Sequence, residues 1–275
     1  MKDMFLVLTL DLKNSLRSRW FVGYAALFMV MTAMIFMSGV TESRVMGFTG
    51  LTRGLLVFIQ ACNIIMPVFV LVTTVRTISG DRESNVLEYL LSFPISLKSY
   101  YFGKFLGRFI VVSAPLLLSM LLALIIGLIK GGEVPGELFL LYAGLLVCNA
   151  LAFLGIGFFI SSFVKSQEMA MGAAFFVWLL LIAFIDIALI GLMIKSLVPA
   201  KAVFATALIN PVQVFRIGAI ALFDPVLSVT GPASYVILDA IGRAGCIIYT
   251  LVYPVVVGVI FSVLGFISFK RSDLV

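Results

Sequence analysis

Long apolar stretches with few charges dominate this sequence. There are six of them, each 20 to 25 residues long: 21–40, 55–75, 109–129, 138–160, 170–194 and 247–269. A helix needs about 20 mostly apolar residues to cross the hydrocarbon core of a bilayer. Inside the bilayer the backbone must satisfy its own hydrogen bonds, which a helix does. The pattern therefore predicts an all-α, polytopic membrane protein with six transmembrane helices.

Residues 1–20 precede the first span and follow a different pattern. Phe5, Leu8, Leu12 and Leu16 recur at a spacing of three to four, while the charged residues fall largely elsewhere. Such a segment is typical of an amphipathic interfacial helix that lies along the lipid headgroups. No small-residue cleavage site follows the first apolar stretch, so we do not expect a cleavable signal peptide.

The region 197–244, between the last two spans, is apolar but repeatedly interrupted by proline. Its continuous pieces, such as 212–223, are about a dozen residues long and too short to cross a bilayer. We expect short re-entrant or interfacial helices here. They would form an extracytoplasmic cap at one end of a single transmembrane domain that spans residues 1–275.

The charge distribution predicts an orientation. The chain is 63% apolar and only 12% charged, against roughly a quarter charged in a soluble domain. Twelve of its nineteen Lys and Arg residues fall in the terminal segments, in 76–108 and near 165. The positive-inside bias then favours two cytoplasmic termini in the cell inner membrane. No basic run is interleaved with aromatics, so we expect lipid as a partner and no nucleic acid.

The sequence lacks the residues that several common kinds of catalytic and metal-binding site require. The sequence has no histidine, its three cysteines (Cys62, Cys148 and Cys246) are far apart, and it contains no P-loop motif. We therefore predict no catalytic residue, no metal ligand and no cofactor in this chain. Ser162 and Lys165 match an S-x-x-K pattern, but no second motif accompanies them. Met31, Met34 and Met37 could bind Cu(I) through their thioethers, although packing of an apolar interface is the favoured role.

The segment 76–108 is the longest strongly charged stretch. Within it Gly80 and Asp81 are expected to begin a short helix, which Pro94 would end. The apolar face of this helix consists of Val86, Leu87, Leu90 and Leu91. A helix of two to three turns is marginal alone. Its apolar face must therefore be buried, either on the headgroups or in a groove of a cytoplasmic partner.

The order of these elements resembles the permease subunits of exporter-type ABC transporters. The resemblance rests on a loop of the form D-R-E-x-x-x-L-E-Y-L-L-S-x-P-I-S, from Asp81 to Ser96, and on K-x-x-G-R from Lys104 to Arg108. In that family the loop helix is a coupling helix that sits on a separate ATPase subunit, which binds ATP and Mg²⁺. The resemblance also implies a permease homodimer. It carries the ATPase contact over to seven residues: Asp81, Arg82, Glu83, Val86, Leu87, Leu90 and Leu91.

A narrower resemblance concerns the region between the last two spans. The run from Asn210 to Arg216, N-P-V-Q-V-F-R, and the overall length are similar to permeases that serve the maturation of nitrous oxide reductase. This resemblance implies a periplasmic partner and a role in copper-site assembly. It also implies that Asn210, Pro211, Phe215 and Arg216 form an outer gate or a partner contact.

Asp186 is the acidic residue inside the fifth apolar stretch, where a carboxylate is costly and often functional. It could pair with Lys195 or Arg216, reach interfacial water, or act in gating or cargo contact. The rival to a transport subunit is a membrane-embedded enzyme acting on lipid-linked substrates, which should show charged residues clustered at one depth. A third possibility is an ATPase-coupled machine that moves an outer partner and passes no small molecule.

Overall fold

Helices form all the regular structure in the part of the chain that the computed structural model describes, residues 2–38, 50–130, 136–187, 191, 200–223 and 233–271. Ten helices can be numbered there. They are α1 (Lys2–Leu16), α2 (Arg19–Met37), α3 (Gly50–Glu83), α4 (Val86–Leu91), α5 (Leu97–Ile129), α6 (Gly136–Phe163), α7 (Gln167–Leu179), α8 (Ala200–Ile209), α9 (Pro211–Phe223) and α10 (Ala233–Arg271). A π-helical turn, Leu180–Phe184, continues α7.

The prediction of six spans is confirmed, because six helices in the described part of the chain are long and apolar enough to cross a membrane. They cover Arg19–Met37, Arg53–Glu83, Leu97–Ile129, Gly136–Phe163, Gln167–Ile187 and Gly242–Arg271. The second and third helices extend well beyond the apolar windows at 55–75 and 109–129. Their polar ends continue as helix because the side chains there bind neighbouring helices. The connection between them is consequently much shorter than the 76–108 expected from sequence.

Close backbone contacts join the central helix α6 to its neighbours. α6 packs against α10, α3 and α5. A Cβ placed on Gly155 would overlap the backbone carbonyl of Gly258 in α10, and a Cβ on Gly157 would lie 2.9 Å from the Thr74 side chain in α3. Small residues at such crossings let two membrane helices approach at van der Waals distance. The glycines in this stretch are therefore packing positions.

Helix α1 lies against α5 through a second pair of glycines. A Cβ on Gly103 would come within 2.8 Å of the Met4 carbonyl, and one on Gly107 within 3.1 Å of the Asp11 carboxylate. Val7 and Asp11 are accordingly buried against α5. Phe5 is 69% exposed on the other side of α1. Its placement along the headgroups stays a prediction.

Several chain segments meet at one end of the bundle, which we call the basal end. α1 packs on the first half of α5, and α4 lies between α3 and α5 in sequence. The ring of Phe269, in the last turns of α10, stacks on Tyr100 at 5.8 Å. Both ends of the described chain therefore lie on the same side of the membrane as α4. This is the arrangement that an even number of spans requires.

Helix α9 lies near the opposite end. The Asn63 amide donates to the Val212 carbonyl, and the Tyr142 hydroxyl donates to the Ala219 carbonyl. Asn63 and Tyr142 are each about 20 residues, or roughly 30 Å, from the basal ends of α3 and α6. Because both ends of α9 sit at the same depth, the helix lies across the bundle. Residues 224–232 of the expected cap lie outside the described part of the chain, so the cap as a whole stays a prediction.

Candidate functional site

The connection between α3 and α5, residues 84–96, lies within the longer segment 76–108 in which a partner contact from Asp81 to Leu91 was predicted, and we call this connection the coupling segment. The expected helix start at Gly80 and Asp81 is wrong, since both residues lie in the last turns of α3. The chain turns instead at Asn85, whose φ of 57° is left-handed. Asparagine tolerates this conformation better than most residues. The short helix α4 then runs only from Val86 to Leu91, and it ends before Pro94 as expected.

Helix α4 turns one side to the core of the chain and the other outward. Leu87 is 1% exposed, and Leu90 packs against the same core. Val86 is 41% exposed, Tyr89 66% and Phe93 46%. The sequence therefore predicted an amphipathic helix, but its most apolar face packs on the core of this same chain. The side chain of Leu91 is outside the described part of the structure.

The Tyr89 and Phe93 rings form an outward pair, and sequence analysis missed both residues. Their centroids are 5.3 Å apart in an edge-to-face arrangement. This geometry stabilises aromatic pairs beyond the burial of area. The i, i+4 spacing of two aromatics on the supposedly polar side was the available signal. Leucine spacing alone indicates the opposite, leucine-bearing side of the helix as the contact face.

Asp81, a predicted partner contact, is bonded within the chain. Its carboxylate forms an ion pair with Lys104 of α5 and accepts a hydrogen bond of 2.6 Å from the Tyr100 hydroxyl. The Lys104 ammonium also lies 5.1 Å from the Tyr100 ring centroid. These contacts tie the last turn of α3 to the first turns of α5. Asp81 thus holds the two helices that flank the coupling segment.

Glu83, another predicted partner contact, is exposed but bonded within the chain. Its carboxylate accepts a hydrogen bond of 2.9 Å from the backbone N–H of Gln167, the first residue of α7. A carboxylate at a helix N-terminus satisfies an otherwise unpaired donor and complements the helix dipole. The Arg76 side chain donates to the Gln167 side-chain carbonyl at 3.0 Å. Arg82, the remaining predicted contact of this run, lies partly buried in the last turn of α3.

A second ion pair links α1 to α5. The Arg108 guanidinium and the Asp11 carboxylate are 3.2 Å apart. Burial raises the pKa of Asp11 above its usual range, although the positive charges of Arg108 and Lys104 oppose the rise.

At the outer end, Asp186 meets a residue of α9. The Gln213 side-chain amide donates to both carboxylate oxygens of Asp186, at 2.7 and 2.5 Å. Asn210 caps α9 by accepting from the Val212 N–H at 3.0 Å, and its amide donates to the Leu181 carbonyl at 2.6 Å. Leu181 lies in the π-helical turn, where the helical hydrogen-bond pattern is altered. Asp186 is thus held by an amide, while Lys195 lies outside the described residues.

The four predicted outer residues do not share one environment. Asn210, Pro211 and Phe215 are buried, whereas Arg216 is exposed. Phe215 packs in the main core at 0% exposure. Three of the four therefore position α9 inside the bundle, and only Arg216 offers a side chain at the surface.

The remaining sequence candidates do not converge on a site. Met34 and Met37 are 69% and 72% exposed on α2, while Met31 packs partly against the core, so the packing expectation holds for Met31 alone. Cys62 and Cys246 are buried, as expected for small apolar residues, whereas Cys148 is only partly buried. The buried Ser162 hydroxyl donates to the Phe158 carbonyl of its own helix. Among the described residues, no group of three or more His, Cys, Asp or Glu side chains is placed to bind a metal.

This chain is similar to known proteins over most of its length. Residues 5–274 match the family described as ABC-2 family transporter protein. The chain is 26% identical over 225 residues to the probable ABC transporter permease protein NosY of Stutzerimonas stutzeri, covering 78% of this chain and 80% of the relative. It is 24% identical over 220 residues, with the same coverage, to the probable ABC transporter permease protein NosY of Pseudomonas aeruginosa.

Proposed function

Because this chain belongs to the ABC-2 family of transporter proteins, we propose that it is a permease driven by a separate ABC ATPase that docks on the coupling segment. ATP hydrolysis by that partner would drive export or move an extracytoplasmic protein. The family and the six spans make it a multi-pass transporter subunit. The identity of the ATPase partner and the docking surface are the proposal.

The outward side of the coupling segment is the observation that supports docking. Apolar and aromatic surface is exposed there by Val86, Tyr89 and Phe93. These residues lie at the basal end, in the connection between the membrane-spanning helices α3 and α5. Aromatic residues commonly provide most of the energy of a protein interface. Asp81 and Glu83 bind α5 and α7, so they would act by transmitting motion of the coupling segment to those helices. A rigid transmission of this kind suits a permease that switches between two packed states.

The test compares residues on the two sides of α4. Tyr89→Ala should weaken co-purification with the cognate ATPase by about 30-fold, since loss of an interface anchor costs about 2 kcal/mol or more. Its effect on the stability of the permease should be small. Leu87→Ala is the matched control. It should destabilise the permease by about 2–5 kcal/mol yet bind the ATPase normally at temperatures where it stays folded. Normal binding by Tyr89→Ala together with loss of binding by Leu87→Ala would refute the docking surface.

We further propose that the basal end is cytoplasmic, in the inner membrane. The Lys and Arg bias supports this orientation, and the structure supports it only by bringing both chain ends to one side. A reporter enzyme fused after Val275 tests it. A reporter active only in the cytoplasm should give a signal there, and activity of a periplasmic reporter would contradict the proposal.

The functional unit is proposed to be a permease homodimer that works with a periplasmic protein. Only 11% of the apolar window of the fifth span is buried within one chain. This is the smallest buried share among the six candidate spans. A second copy could cover this face, with Phe176, which is 61% exposed, near its centre. Phe176→Cys should then cross-link between two copies in membranes. Failure to cross-link at Phe176, with cross-linking elsewhere, would place the interface on another face.

The proposed biological role is assembly of the copper site of nitrous oxide reductase. It rests on the resemblance around Asn210 and Arg216 and on the two relatives named NosY. Arg216, exposed at the outer end, is the side chain available to a periplasmic partner. Deleting the gene should abolish copper loading of that enzyme in a host that makes it. Arg216→Glu should impair loading without lowering the amount of permease in the membrane.

A further inference from the structure

A cavity of about 340 Å³ lies where α1 turns into α2, at the basal end. Helices α2, α3 and α5 and the first residue of α7 surround it. Two arginines, Arg76 from α3 and Arg108 from α5, line it together with the Ser18 hydroxyl and the Gln167 amide. None of the described lining residues is acidic. The cavity therefore concentrates positive charge and hydrogen-bond donors.

The charge in this cavity is only partly balanced by the protein. Arg76 is exposed, and its partner is the neutral Gln167 side chain; no carboxylate pairs with it among the described residues. Arg108 is paired with Asp11, whose raised pKa follows chiefly from burial. Guanidinium groups bind phosphate through parallel N–H donors and keep their charge at every physiological pH. The cavity is thus suited to a phosphate group.

An apolar groove adjoins the cavity at Trp20 and runs along α2 beside Phe69 of α3. It has a volume of about 290 Å³ and is lined by Trp20, Gly23, Leu27 and Phe69, with Arg19 at its polar end. Trp20 lines both the cavity and the groove. A Cβ at Gly23 would meet nothing within 4 Å, so the missing side chain leaves the floor of the groove open. Trp at the start of a span marks the level of the headgroups.

We propose that the cavity and groove together bind one anionic phospholipid, with its phosphate between Arg76 and Arg108 and an acyl chain in the groove over Gly23. A soluble phosphate compound would use the charged cavity but would have no use for an apolar groove that begins beside it. A zwitterionic lipid would carry a positive group into a cavity that already holds two arginines. Charge complementarity therefore selects an anionic headgroup. The site requires only that the chain spans a membrane, and it is independent of the ATPase.

The lipid would also join elements that few protein contacts connect. α1 and α2 meet at a short turn, and the cavity separates that turn from Arg76 in α3. A bound phosphate would contact both Arg76 of α3 and Arg108 of α5, beside the first turn of α2. Occupancy should therefore stabilise the whole basal end, because a ligand that binds only the folded state raises its stability by mass action.

The experiment measures thermal unfolding of the full-length protein in detergent while one of three probes is titrated: dioleoyl phosphatidylglycerol, dioleoyl phosphatidylcholine or sn-glycerol 3-phosphate. We expect a saturable increase in Tm with phosphatidylglycerol only. Arg76→Gln should weaken that binding at least 10-fold. Gly23→Leu should do the same by filling the groove, at a position where an added Cβ meets nothing within 4 Å. Arg243→Gln, an exposed arginine at the other end of the last span, is the control and should bind like the wild type.

Two results would overturn the proposal. Equal stabilisation by glycerol 3-phosphate, with normal binding by Gly23→Leu, would show a site for a soluble phosphate. Equal stabilisation by phosphatidylcholine, or an unchanged response in Arg76→Gln, would show general solvation by lipid. Each variant is first checked for a normal Tm without lipid, so that a misfolded protein is not counted as a failure to bind.

Discussion

The ion pair between Asp81 and Lys104 gives a sharp test of how the coupling segment is anchored. Both side chains are mostly buried, with 20% and 11% of their surfaces exposed. Removing one partner of such a pair leaves a buried charge uncompensated, which costs about 3–5 kcal/mol. Lys104→Met should fall in this range. Asp81→Asn should cost somewhat less, because the Tyr100 hydroxyl can still donate to the remaining amide oxygen.

The double variant Asp81→Asn/Lys104→Met carries neither charge. We expect it to be less destabilised than the sum of the two single variants by about 2 kcal/mol, since residues in one ion pair are energetically coupled. The assay is the free energy of unfolding, from titration of the purified permease in mixed micelles with a denaturing detergent. Glu88→Gln, an exposed carboxylate in α4, is the control and should change the stability by no more than about 0.5 kcal/mol.

The same variants separate an anchoring role of Asp81 from direct contact with the ATPase. If Asp81 only holds α3 to α5, the double variant should co-purify with the ATPase nearly as well as the wild type under conditions in which it stays folded, although its stability is lower than that of the wild type. Additive losses of stability, within about 0.5 kcal/mol, would refute the pairing. A stable double variant that no longer binds the ATPase would return Asp81 to the interface, as the family resemblance implied.

Three further perturbations address other contacts. Gly155→Leu places a side chain against the Gly258 carbonyl and should cost about 3 kcal/mol or more, measured by the same unfolding titration; wild-type stability would contradict the close crossing. Asp186→Leu leaves the Gln213 amide without its acceptor and should cost about 1–3 kcal/mol, whereas Asp186→Asn should cost less. For Asp11, burial raises the pKa above the usual value of 3.8, so the folded state holds this proton more tightly than the unfolded state does. That contribution is present below the usual pKa and is lost as the pH rises through the folded-state pKa. The stability of the wild type relative to Asp11→Asn should therefore fall as the pH rises above the usual pKa of 3.8, and a difference independent of pH would contradict the assignment.

Sequence alone was sufficient for the features that depend on local composition. The apolar windows predicted six spans because the length of a stretch and its lack of charge decide whether a helix can cross a bilayer. Pro94 correctly marked the end of the short helix, since the residue before a proline avoids the helical conformation. Cys62 was correctly expected to be a buried apolar residue.

Only the tertiary structure decided which polar residues have partners and which faces are covered. The charged run after residue 75 read as a loop, yet it stays helical because Asp81 reaches Lys104 and Glu83 reaches the start of α7. Leu87 looked like a partner contact, but the permease's own core covers it, and Tyr89 remains outside. Periodicity identifies an amphipathic helix, but it cannot say which surface will cover its apolar side. That surface comes from residues distant in the chain, and here they are the permease's own helices.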